Sequence, residues 1–490
     1  MLTYVNYEDF GAVGDGVHDE MDAIIAAHAY ANANRLPVRT REDATYYIGP
    51  RPLTAYIETD VDWNTSRFTI DDTHVPASDR EASCFVVRST LSVDPFTITS
   101  LKRDQKQLDI YPSQDCVVTV YNDNVMHFIR YGLNQNQGEA ATDTFILHKD
   151  GTIEGLIDWD YDVITRIDVH PLDETPLFIH GGVFTTMANH GESKYLYYAR
   201  NISILRSHVT VDHLIHYIAG EISHGSPYGG FLKAERCAFL TLQNCHATGH
   251  KIYETIGSAG LPVMMGSYDI LANRVVNVYI KNCDVHNITD RTRWGVIASN
   301  YCKNIVVEDC IFSRLDAHQG VSGQYTIRNS QMGHQGINAI GRGTITLENV
   351  TAYGNNLICF RPDYGSTWEG DVIIKNCHWI PACGRETWPI LFGLANNGMH
   401  NFGYPCHLPT GIYIDGLTVD DTHVPADYDG MRLFMDPDNA GWGGQPPVEE
   451  IRPYALTPCK QVIIKNLTCR SGLPYKICDN PEAFQTTQFI

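Results

Sequence analysis

The sequence predicts an all-β fold: a right-handed parallel β-helix with an N-terminal capping helix and a β-rich insertion. Three observations predict it. Short segments of alternating apolar residues end in Asn or Asp, often followed by Cys: "LTLQNC" (240–245), "VYIKNC" (278–283), "IVVEDC" (305–310), "YTIRNS" (325–330), "ITLENV" (345–350) and "VIIKNC" (372–377). Marked at Arg206, Asn244, Asn282, Asp309, Asn329, Asn349 and Asn376, they recur after 38, 38, 27, 20, 20 and 27 residues. One strand type repeated at roughly 20 to 40 residues is the signature of a solenoid. The segments are rich in Val, Ile, Thr and Tyr, with no helical periodicity between them, which selects strands.

Composition agrees with an elongated chain. The 490 residues exceed one ordinary compact domain. With 43% hydrophobic and 19% charged residues, the chain folds and is not disordered. A net charge of −21 argues against nucleic acid as a partner and disfavours a strongly acidic polysaccharide unless a local basic groove overcomes it. No apolar run is long enough to span a membrane. "MLTYVNYEDFG" (1–11) lacks a basic stretch before an apolar core, so no signal peptide is expected. The expected location is cytoplasmic, or secreted if the N-terminus has been trimmed.

Residues 1–84 are read as the cap and first coils. "DFGAVGDGVHDEMDAIIAAHAYANANRLPV" (9–38) has the strong helical signature. Asp19 and Asp22 suit a helix N-terminus, and Ala23, Ile24, Ala26 and Ala27 form an apolar face. Such a helix covers the exposed core and strand edges at a solenoid end. Residues 85–175 break the repeat. "CVVTVYNDNVMHFIRYGLNQNQ" (116–137) and "DTFILHKDGTIEGLIDWDYDVITRIDV" (143–169) read as antiparallel hairpins, with Asp150-Gly151 as a turn. Residues 176–490 form the main β-helix, in which alternate strand residues point inward. Asn282, Asn329, Asn349 and Asn376 can stack as an amide ladder. Cys245, Cys283, Cys310 and Cys377 follow as a column of reduced, buried thiols. Long intervals at 206–244, 244–282, 376–415 and 415–466 imply large loops, among them "ETWPILFGLANNGMHNFGYPCHLP" (386–409).

"FGAVGDGVHDEMDAI" (10–24) resembles the FGAxGDGxxDDTxAI opening of the pectate-lyase-like β-helix superfamily. That group includes polygalacturonase-type glycoside hydrolases and phage tailspike depolymerases. The opening covers roughly residues 7–40, and the repeat extends the resemblance to about residue 470. It implies a parallel β-helix and leaves activity open, because the superfamily hosts hydrolases, lyases, epimerases and binding spikes. The NTD and RIK motifs of polygalacturonases are absent, and "SHG" (223–225) stands without its companions. No polygalacturonase role is therefore carried over.

The candidate chemistry comes from position within the repeat. Thirteen residues before the marks at 282, 329 and 376 stand Asp269, Asp316 and Asp363; the intervening marks give Val296 and Gly336. Constant spacing predicts that these positions stack on one face, with acids on alternate coils about 10 Å apart. That leans towards an inverting glycoside hydrolase, in which a water sits between base and sugar. Asp316 and Asp363 are the expected acid/base pair, with Asp269 in support. Arg361 would keep Asp363 ionised, and His318 would tune Asp316 or hold the sugar. Arg293, Gln319, Asn338, Tyr364, Trp368, Glu254 and Glu369 are further candidates for substrate binding, and Tyr253 and Trp294 could also stack on sugar rings. The bland alternative is that acids at turns bond nearby backbone N–H groups.

The predicted partner is an oligosaccharide or polysaccharide, preferably neutral, with a homo-oligomer left open. Without a CxxC pair, no structural zinc is predicted; no metal and no cofactor are expected. Calcium is possible if the acids converge, as in pectate lyases. Two other functions stay in view: a polysaccharide lyase or epimerase acting on uronic-acid glycans through Arg361 and His318, and a non-enzymatic carbohydrate-binding β-helix.

Overall fold

The structure, a computed structural model, describes residues 3–130, 136–394, 406–437 and 456–490. The middle of the long loop at 386–409 therefore lies outside the described residues. Among the described residues, thirty strands join in one parallel-paired sheet, wound as a right-handed β-helix. Its inner column is set by sequence: Val209, Leu240, Val278, Ile305, Tyr325, Ile345, Val372, Ile412 and Val462 pair in register from coil to coil. All nine are buried. Every second residue of each strand faces this column, so the alternation seen in the sequence is the core itself.

The repeat marks are conformational. Asn244, Asn282, Asp309, Asn329, Asn349, Asn376 and Asn466 all have φ between 50° and 55°. Left-handed backbone costs most L-residues about 1–2 kcal/mol, and Asn and Asp tolerate it best. The amides also bond along the axis: Asn282 donates to Asn244 at 2.7 Å and Asn349 to Asn329 at 3.0 Å. The thiols that follow are acceptors. The N–H of Cys245 points at Cys283 Sγ, and that of Cys283 at Cys310 Sγ, each at 3.4 Å. All fourteen cysteines are free.

The N-terminal helix, Met21–Asn34, buries Met21, Ile24, Ala27, His28 and Ala31. Ala26 faces solvent and Ala23 is only half-buried, which corrects the expected face by part of a turn. The preceding motif is structural: Glu20 accepts the N–H groups of Val13 and Gly14, and Asp15 those of Val17 and His18.

Four antiparallel strands stand apart from the solenoid sheet, in the order Ile153–Glu154, Glu139–Leu147, Cys116–His127, Arg166–Pro171. They carry their own core around Val118, Val120, Phe145, Leu147 and Tyr161. Charged side chains tie them to the coils. Lys303 pairs with Asp143 at 2.6 Å and also with Asp158; Arg342 reaches Asp158 at 2.9 Å.

The three candidate acids do not form one stack. Asp316 pairs in register with Ala298 and Asn338, whereas Val296 and Gly336 flank Arg314. The register shifts between Phe312 and Arg314, where the next coil inserts extra residues after Met332. Asp269 falls in a second irregularity, between Tyr268 and Ile270. Asp363 sits in a short 3-10 turn, Pro362–Tyr364.

Candidate active site

A strand residue and its second neighbour share a face. Arg314, Asp316 and His318 therefore project together from Ile311–Arg328, and they line a cleft of about 470 Å³. Arg361 and Asp363 enter from the next turns. Arg130 enters from the insertion.

Arg361 is the hub. Its Nη1 donates to both oxygens of Asp316, at 2.9 and 3.1 Å. Its Nε donates to Asp363 Oδ1 at 2.9 Å, and its Nη2 to Oδ2 at 2.5 Å. Arg314 adds a second cation to Asp316 at 2.9 Å, and Arg130 a second to Asp363 at 3.0 Å. Three guanidiniums thus share two carboxylates. Burial would raise both carboxyls, but the arginines outweigh it and hold each below the usual carboxylate range.

His318 is bracketed by Asn300 at 3.2 Å and the Tyr364 hydroxyl at 3.4 Å. Burial, with Arg361 in support, pushes its imidazole down to about 3, so it is neutral at physiological pH. The buried His28 of the cap is likewise pushed down to about 3 by burial. An unfolded chain protonates both near 6.5, so between these limits the unfolded state binds more protons. Stability should be complete above about pH 6.5 and fall as pH drops towards 4, with each pKa unit contributing up to about 1.4 kcal/mol. Thermal unfolding followed from pH 7 to 4 measures it; a melting temperature that stays level would refute the neutral, buried assignment.

Tyr195, Tyr197, Tyr268 and Trp294 wall the cleft. Tyr197 and Tyr268 stack with rings 5.9 Å apart and 7° from parallel. The hairpin Tyr253–Ile256 with Pro262–Met265 contributes Met264 and Met265. A second lobe of about 320 Å³ shares Trp294, Arg314, Arg361 and Asp363 and holds Asn338. The groove therefore runs across the charged cluster.

Of the residues expected from sequence, Asp316, Asp363, His318 and Arg361 converge, with Trp294 in the wall and Asn338 in the adjoining lobe. The others lie elsewhere. Asp269 is buried with neither carboxylate oxygen hydrogen-bonded, and burial raises it to about 6. Arg293 pairs with Glu221 at 3.2 Å. Gln319 and Glu369 line a small cavity against the insertion, where Glu369 pairs with Arg103 at 2.6 Å. Trp368 is wholly buried and donates to the Gly343 carbonyl. Tyr364 is buried behind His318, its ring against Phe128. Glu254 is exposed on its hairpin. Sequence reading missed Arg130, Arg314 and the tyrosines. Arg314 was legible as the same-face neighbour of Asp316; Arg130, far along the chain and just beyond a strand of a separate sheet, was not.

No protein-family model matches the chain. A stretch covering 17% of it is 33% identical, over 94 residues, to the "Depolymerase, capsule KL64-specific" of Klebsiella phage P510. That match spans 9% of the phage protein's length. Among solved structures, the tailspike protein gp49 of Pseudomonas phage LKA1 aligns with a TM-score of 0.55 at 12% identity, covering 99% of this chain and 84% of that one. The Gp54 tailspike of Acinetobacter baumannii bacteriophage AP22, solved in complex with A. baumannii capsular saccharide, aligns with a TM-score of 0.51 at 11% identity, covering 99% and 79%.

Proposed function

We propose that this right-handed parallel β-helix cleaves a polysaccharide in the Arg361 groove, with Asp316 and Asp363 as the reacting carboxylates. One observation carries the reading: two buried carboxylates and three arginines meet on the floor of a groove whose walls are aromatic. Flat sugar faces pack on such rings. The description of the Klebsiella phage relative as a capsule depolymerase supports a capsular polysaccharide as substrate.

Hydrolysis needs one ionised carboxylate and one proton donor. At rest the arginines hold both acids ionised. An acidic sugar changes that balance: its carboxylate draws on the same guanidiniums and, as a near anion, raises the neighbouring Asp. The cluster carries one more cation than anion, since His318 is neutral. An acidic glycan therefore suits the groove better than the neutral one expected from net charge. The same excess favours a second reading, β-elimination, in which the guanidiniums neutralise a uronate carboxylate and so acidify its α-proton.

The test is a panel of acidic capsular polysaccharides given to wild type, Asp316→Asn and Asp363→Asn, with reducing ends and ultraviolet absorbance both followed. Each substitution should lower the rate by about 10²–10⁴-fold. New reducing ends without absorbance indicate hydrolysis; both together indicate elimination. Full activity in both variants would remove these carboxylates from the chemistry.

A further inference from the structure

Away from the Arg361 cluster, two neighbouring coils assemble a different set of ligands. His246 and Asp284 pair in register across the coils, and His286 follows Asp284 by two residues. His246 Nδ1 stands 2.7 Å from Asp284 Oδ2. The rings of His246 and His286 are 4.1 Å apart, inclined at 67°. One ligand atom from each of the three lies within 4.8 Å of the other two.

The groups behind this trio are as telling as the trio itself. His246 Nε2 is buried and makes no hydrogen bond. His246 and Asp269 both line a small cavity of about 20 Å³. Both carboxylate oxygens of Asp269 are also buried and unbonded. Buried polar atoms almost always have a partner, and a cavity of this size accommodates one water molecule.

We infer that His246, Asp284 and His286 bind a divalent transition-metal ion of the Zn²⁺ class, with Nδ1 of His246 on the metal and its Nε2–H directed inward, through one water, towards Asp269. Metal-bound histidines characteristically donate their second ring N–H to a carboxylate or water, which fixes the tautomer. Two imidazoles and one carboxylate suit Zn²⁺, Co²⁺ or Ni²⁺ and not the all-oxygen preference of Ca²⁺ or Mg²⁺. Zinc bonds of about 2.0–2.2 Å require the ligands to draw together slightly. Binding would swing the exposed His286 ring inward. No spacing motif announces the site, because its two halves come from coils 38 residues apart.

A second trio serves as an internal comparison. His180, Asp212 and His213 also bring their ligand atoms within 4.8 Å. Both histidines there are about half exposed, and Asp212 Oδ1 already accepts from His213 and from Asn244 of the amide ladder.

The test uses the full chain without a polyhistidine tag, stripped of metal and titrated with Zn²⁺ by calorimetry and with Co²⁺ by absorption. Wild type should take up one equivalent, and Co²⁺ should show ligand-field bands. His286→Ala should weaken Zn²⁺ binding by about 100-fold or more, and Asp269→Asn by about 10-fold with shifted Co²⁺ bands; His213→Ala should leave both unchanged. His286 is exposed, so its variant should fold normally by circular dichroism even if Asp269→Asn does not. No uptake by wild type, equal affinity in His286→Ala, or loss on His213→Ala would each overturn the assignment. None of these outcomes depends on cleavage in the Arg361 groove.

Discussion

Replacing Arg361 with methionine should abolish polysaccharide cleavage and destabilise the fold by about 3–5 kcal/mol, the range for removing one partner of a buried ion pair. The size follows from position. Asp316 and Asp363 are 1% and 8% exposed, and among the described residues Arg361 is the one side chain bonded to both. Without it, Asp316 keeps only Arg314 and Asp363 only Arg130 among the guanidiniums. Burial then raises both carboxyls, and the folded state takes up protons to avoid uncompensated charge. Arg361→Lys separates the two roles. An ammonium restores one positive charge but cannot present a planar fork to two carboxylates, so stability should return in part while activity stays low. Denaturant midpoints and cleavage rates for the three proteins decide the matter. Wild-type cleavage by Arg361→Met would show that the cluster is structural.

Lys303→Met should loosen the insertion and lower activity, although Lys303 does not line the groove. The ammonium is 2% exposed and sits between Asp143 and Asp158. Asp158 retains Arg342 and Ser322; Asp143, 1% exposed, loses its cation. A buried carboxylate left unpaired costs roughly 3–5 kcal/mol. The strands Cys116–His127 and Glu139–Leu147 should exchange amide hydrogens faster while the inner column of the solenoid stays protected. Because Arg130 follows the first of these strands, its grip on Asp363 should weaken with them. Adding Asp143→Asn should recover much of the stability by removing the stranded charge. Unchanged exchange in the insertion of Lys303→Met would refute the docking role.

The solenoid was legible because its repeat is written twice, once as inward Val, Ile and Leu and again as Asn at a left-handed turn. Either signal alone is common; together, at recurring positions, they fix which face of each strand is inside. The groove was legible only in part. Counting back thirteen residues assumes that every coil has the same length between turn and groove face. The register shifts beside Asp316 and at Asp269 break that assumption. Asp316 and Asp363 meet because the Arg361 side chain is long enough to reach both, which no backbone spacing encodes. Asp269 kept its count and lost its direction, since a bulged residue is re-aimed. Net charge is equally blind to the groove: −21 describes the whole surface, whereas three arginines meet at Asp316 and Asp363.

Among the described residues the four strands of the insertion pair only with one another, and they meet the coils through side chains. A genetic exchange of this segment would leave the thirty paired strands of the solenoid undisturbed and would replace the wall that carries Arg130. Such an exchange would reshape one wall of the groove in a single step, while the solenoid keeps Asp316 and Arg361 in place.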